Sequence, residues 1–160
     1  MRPRIISIAV FSLVVVCFSG HDCCSATGSD ALLRDTKARS FTDSIARDIE
    51  EGAASKLQAK MTSDLQGAFT QSQFNERFQR ILNTYGHLIA YEYKNTAAGI
   101  KLLPDGKKKP MKRLWYSVIT SMHKKGECFL FIEIVKEGSA LACSGFSFTT
   151  FPYGVPAELK

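Results

Sequence analysis

Between residues 30 and 86 the apolar positions recur at three- and four-residue steps, and from residue 87 to 150 they recur at every second residue. The first spacing is that of one helix face and the second that of a half-buried strand. Ala38, Phe41, Ile45 and Ile49 mark a helix that Ser29 or Asp30 can cap, charged on its other side and ended by Gly52 after about Glu51. A second short helix is expected from about Ala54, carrying Leu57, Met61 and Leu65. Thr70 and Ser72 precede a third, with Phe74, Phe78, Ile81, Leu82 and Tyr85 on one side and Gly86 as its stop.

In the second half, a strand from His87 to Lys94 sets His87, Ile89, Tyr91 and Tyr93 against Leu88, Ala90, Glu92 and Lys94, and a short strand over Gly99–Leu103 follows. The segment from Pro104 to Pro110 reads as a turn with a basic tip. Leu114 to Met122 alternates again. Lys124-Lys125-Gly126 then leads into a hairpin of Cys128–Val135 and Ser139–Thr150 around Lys136-Glu137-Gly138-Ser139. Long strands joined by short turns form an antiparallel meander. No Ser/Gly linker divides the helical half from the strand half, so residues 27–160 read as one α+β domain with N-terminal helices packed on a curved antiparallel sheet.

The Cys128 strand is apolar on both sides. Cys128, Leu130, Ile132 and Ile134 occupy one face, and Phe129, Phe131 and Val135 the other, interrupted only by Glu133. A sheet covered by helices on one face alone is polar on its second face. The second face is therefore expected to be covered too, by a pocket lining, by a partner subunit in a homodimer, or by the tail Phe151–Lys160.

Upstream of the domain, Arg2 and Arg4 precede Ile5–Phe18, an apolar run broken only by Ser7 and Ser12. It has the length of a signal-peptide core and falls short of the roughly 20 residues of a membrane-spanning helix. Cuts after Ser19 and after Ala26 both meet the small-residue requirement; the second is preferred, making residues 1–26 a signal peptide and the protein exported, periplasmic or secreted. Leu13-Val14-Val15-Val16-Cys17 loosely matches a lipidation motif, but Val16 is too large for the position before a lipidated cysteine.

Cleavage after Ala26 leaves only Cys128 and Cys143. If Lys136 faces Ser139, Cys128 lies opposite Ser147 and Cys143 opposite Ile132, which puts the thiols about 13 Å apart along the strands. A disulfide needs Cα atoms within about 7 Å. Two buried free thiols are expected.

Several segments together resemble the cystatin-like folds of the nuclear-transport-factor-2 type, the superfamily that includes ketosteroid isomerases: Ala53–Met61, Phe74-x3-Phe78-x2-Ile81-x3-Tyr85-Gly86 leading to Tyr91-x-Tyr93, Leu114-Trp115-Tyr116-Ser117-Val118, and the closing Cys128–Phe148 hairpin. Over Ile49–Phe148 the chain looks like small secreted or lipid-anchored bacterial members of unknown function. The resemblance implies a sheet curled round the helices as a cone with a ligand site at its mouth. It names no reaction. Enzymatic relatives hold a carboxylate base in an apolar cavity, where burial raises its pKa; the strand carboxylates here are Glu92, Glu127 and Glu133.

Other chemistry is sparse. His21, His87 and His123 form no His-x-x-x-His pattern and no Cys-x-x-Cys occurs, so no metal or cofactor is expected. The chain carries a formal charge of +6, and eight Lys and Arg lie between Lys101 and Lys125 against Asp105 alone. Lys107, Lys108, Lys109, Lys112 and Arg113 could give a weak contact with an anionic surface, worth roughly 5 kcal/mol at about 1 kcal/mol each. Nucleic acid is disfavoured because the run lacks interleaved aromatics. The expectation is a non-enzymatic binding module holding a small apolar ligand or a protein partner on its curved sheet, with Tyr91, Tyr93, Trp115, Phe129, Phe131 and Phe146 as lining. The alternative is an isomerase- or hydrolase-like enzyme with buried Glu92 or Glu133 as base, which requires one of them inside an apolar cavity.

Overall fold

The computed structural model describes residues 35–103 and 106–150. The expected signal peptide, Cys17, the helix start at residues 29–34 and the tail 151–160 lie outside the described residues. Four helices precede four strands: α1 (Asp35–Glu50), α2 (Ala54–Ala59), α3 (Ser63–Ala68), α4 (Gln71–Tyr85), β1 (Leu88–Leu102), β2 (Lys108–Thr120), β3 (Cys128–Glu137) and β4 (Ala140–Thr150). The strands pair in chain order as one antiparallel meander. The fold is α+β with a curved, open sheet, as the hydrophobic periods imply.

The helical stripes pack as the spacing requires. Ala38, Ile45 and Ile49 of α1, Leu57 of α2 and Phe78, Ile81 and Leu82 of α4 are buried against Leu114, Tyr116, Val118, Leu130, Ile132 and Ile134 of the sheet. The start of α4 is fixed by a reciprocal cap: the Gln73 amide donates to Thr70 Oγ1 while the Thr70 amide donates to the Gln73 side chain. Its end is fixed by Gly86, whose φ of 85° and ψ of 167° lie where only glycine is at ease.

Three expectations on the elements are corrected. The single second helix is broken into α2 and α3, because Cys143 N–H donates to Lys60 O at 2.8 Å and Thr62 N–H donates to Cys143 O at 2.9 Å. That bridge diverts two groups from helical bonding and covers part of the free edge of β4. The two strands expected before residue 103 are one long β1, with irregularities at Leu88/Ala90 and Tyr93/Asn95 and continuous pairing from Asn95 to Leu102, where a break was expected. The hairpin turn lies one residue further along than expected: Glu137 faces Ala140 around Gly138-Ser139, with Gly138 at φ 58° as a two-residue turn demands. Cys128 consequently lies opposite Thr150, and Cys143 lies opposite Ile134 across a bulge at Glu133/Ile134.

Both cysteines are free and buried. Burial pushes each thiol up to about 12. Since the folded values lie above the unfolded one near 9, the folded state holds these protons more tightly. That stability is fully present below about pH 9 and is lost as pH rises from about 9 through 12. Urea midpoints are expected to fall over that range, less steeply in Cys143→Ala, and a thiol reagent at pH 8 should label neither cysteine until urea is added. Rapid labelling of the native protein would refute the buried placement.

The second face of the sheet is also covered. Phe129 is only 2% exposed, and Met111, Ser117, Val135 and Ala142 on the same side are buried. The sheet's curvature contributes. Lys101 Nζ on β1 donates to Ser144 O on β4 at 2.9 Å, with two strands between them, whereas a flat sheet would separate those strands by about 14 Å.

Candidate functional site

Where α1 crosses β1, a cleft of about 480 Å³ is lined by Arg39, Asp43 and Arg47 from the helix and Tyr91, Glu92 and Tyr93 from the strand. A second recess shares Arg39, Asp43, Arg47 and Tyr93 with it and is lined along α1 by Thr36, Ser40 and Ser44. The helix residues stand four apart, so 3.6 residues per turn places them on one stripe beside the buried Ala38–Ile45–Ile49 stripe. On the strand, the irregularity after Leu88 brings Leu88, Tyr91 and Tyr93 to the helix-facing side.

Beneath the cleft lies a chain of hydroxyls. Tyr116 is fully buried, its ring meeting those of Tyr91 and Tyr93 edge to face, each at 5.9 Å between centroids. Its hydroxyl donates to Asp43 Oδ1 at 2.8 Å and lies 2.6 Å from Thr42 Oγ1. The Thr42 hydroxyl also reaches back to the Ala38 and Arg39 carbonyls, each at 3.1 Å. Burial, before any other cause, holds the Tyr116 hydroxyl well above the usual tyrosine range, so it stays a donor. Asp43 is thereby oriented from below, and Arg39 Nε stands 3.8 Å from its other oxygen. The Arg39 guanidinium lies over the Tyr93 ring, 4.5 Å from its centroid. Among the described residues Asp43 makes no ion pair with Arg47, one turn further on.

The six expected lining aromatics do not form one site. Tyr91 and Tyr93 share the α1–β1 cleft. Phe146 is on the helix-facing side but packs against Phe78 of α4, 6.5 Å between centroids. Trp115 and Phe131 pair edge to face on the opposite side of the sheet, where Phe129 is buried as well. The basic set is drawn into strand pairing: Arg113 is ion-paired with Glu133 across β2 and β3, Lys109 lies 3.9 Å from Glu137, and Lys108 is exposed. Lys107 and Lys112 make interactions of their own.

Neither expected base occupies an apolar cavity. The strand irregularity separates Glu92 from Leu88, with which strict alternation grouped it, and leaves its side chain 53% exposed between Lys94 and Lys125, each at 3.0 Å. Hydrogen bonds from Lys125 and then Lys94 hold its carboxyl below the usual range. Glu133 is bound by Arg113 on the opposite face. Sequence reasoning missed Arg39, Asp43 and Arg47, which read as an ordinary charged helix face. Their four-residue spacing was the available signal.

No family model matches the chain, and no curated protein matches it. Among solved structures it is similar to Aln2 from a Streptomyces species, at TM-score 0.44 and 9% identity over 72% of this chain and 88% of that one. It is similar also to ActVI-ORFA from Streptomyces coelicolor, at TM-score 0.45 and 12% identity over 72% and 95%.

Proposed function

We propose that this protein is an exported, non-enzymatic binding module whose α1–β1 cleft holds a small ligand against Tyr91 and Tyr93. The supporting observation is the cleft itself. Two aromatic rings, each in contact with buried Tyr116, line an open recess at one side of the sheet. Ligand sites are concave, and in this one the two tyrosines stand among the charged Arg39, Asp43, Arg47 and Glu92. The exposed and ion-paired state of Glu92 and the Arg113 pairing of Glu133 speak against either of these two as a buried base. Export rests on the Arg2, Arg4 and Ile5–Phe18 pattern.

Titration of isotope-labelled mature protein with 2-naphthol, a neutral planar probe, tests the site. Saturating amide shifts are expected over residues 39–47 and 91–93. Tyr93→Leu should weaken binding about fivefold through loss of an aromatic contact. Saturation centred on Trp115 and Phe131, or no saturation anywhere, overturns the assignment.

A further inference from the structure

Resting on that reading of the cleft, we infer that its ligand is an organic anion, a planar apolar body bearing a carboxylate or a group of like charge, with Arg47 as the anchoring residue. Charges in and around the recess decide this. Asp43 is turned toward Arg39 and the Tyr116 hydroxyl, so its negative charge is engaged from two sides. Glu92, the other carboxylate of the lining, is bracketed by Lys94 and Lys125, which stand outside the lining, so its charge is answered without either arginine. Arg39 is held flat on Tyr93. Arg47 remains, exposed, lining both recesses, with no ion pair among the described residues.

A guanidinium offers a planar fork of donors that matches a carboxylate in two parallel hydrogen bonds. About 12 Å of helix separates the Cα atoms of Arg39 and Arg47. One small ligand therefore places its anionic end on Arg47 and its flat body toward Tyr91 and Tyr93, the wall that Arg39 stiffens. A neutral apolar ligand would leave the guanidinium unused. A cationic one would meet Arg47 with no carboxylate paired to it among the described residues.

The probes are 2-naphthoate and 2-naphthol, which share a ring system and differ in charge, titrated into mature protein and into Arg47→Gln. Arg47 is solvent-exposed, so its replacement leaves the fold intact. The expected result is about tenfold tighter binding of the carboxylate, with shifts over residues 39–47 and 91–93. Arg47→Gln should abolish that preference, so that the two probes bind alike, and Arg47→Lys should restore only part of it. The preference should shrink as salt is raised from 20 to about 500 mM. Equal binding of the two probes, unaffected by Arg47→Gln, overturns the anionic class while leaving the cleft as the site. If neither probe perturbs the cleft, the site assignment fails together with the class.

Discussion

Tyr116→Ala is expected to destabilise the protein by about 3–5 kcal/mol, the cost of emptying a fully buried aromatic position. Tyr116→Phe should cost about 1–2 kcal/mol, because it keeps the ring packing and deletes only the hydrogen bonds to Asp43 and Thr42. The two variants separate packing from positioning. Once the hydroxyl is gone, Asp43 is held only by Arg39 at 3.8 Å, a partly exposed pair of small worth. It becomes free to swing toward Arg47. Tyr116→Phe should therefore also weaken 2-naphthoate binding while leaving 2-naphthol binding nearly unchanged. Urea denaturation and the same titrations supply both readouts. A phenylalanine variant as stable as the parent would show that the hydroxyl chain beneath the cleft carries no weight.

The second large effect is expected at the joint between α4 and β1. Gly86→Ala should cost about 3 kcal/mol, from strain of roughly 1–3 kcal/mol for a left-handed, extended backbone and from crowding on top of it. A Cβ there would stand 2.6 Å from Ser121 Oγ and 2.9 Å from the Met122 backbone nitrogen. The crowding matters because the contact is partly backbone, where Ser121 N–H donates to His87 O and ties the β2 end to the start of β1. Gly52 is the control: its φ of 67° is also left-handed, yet nothing lies within 4 Å of its would-be Cβ. Gly52→Ala should cost about 1 kcal/mol. Equal costs at the two sites in thermal or urea unfolding would rule out crowding as the cause.

Much of the architecture was legible because period is a local property. The Ala38–Ile45–Ile49 stripe, the Phe78–Ile81–Leu82 stripe and the two-sided Cys128–Val135 strand each announce element type and buried face without reference to the rest of the chain. Their readings agree with the structure. The Thr70 start and the Gly86 stop were visible for the same reason. Where local reading failed, a distant partner had intervened. The helix around Met61 was interrupted by Cys143, more than eighty positions away, and Glu92 was moved off the Leu88 face by one irregular residue in β1.

The site was the least legible part. Tyr91 and Tyr93 share one cleft and the other four of the six aromatics lie elsewhere, because alternation gives the face of a residue only within its own strand. Which strand faces α1, and which faces α4, depends on the rolled sheet. Arg39, Asp43 and Arg47 carried no sign in the sequence beyond their spacing. Their significance comes from Tyr116, which binds Asp43 from below, and from Arg47, which has no carboxylate partner among the described residues.

By itself, then, the order of residues determined the element types, the meander and the need to shelter both faces of the hairpin, since each follows from periodicity and the cost of exposing apolar area. Only the tertiary structure decided which charges cancel and which remain. Ion pairing depends on distances of a few ångströms between residues far apart in the chain, and those distances are set by how the sheet curls beneath the helices.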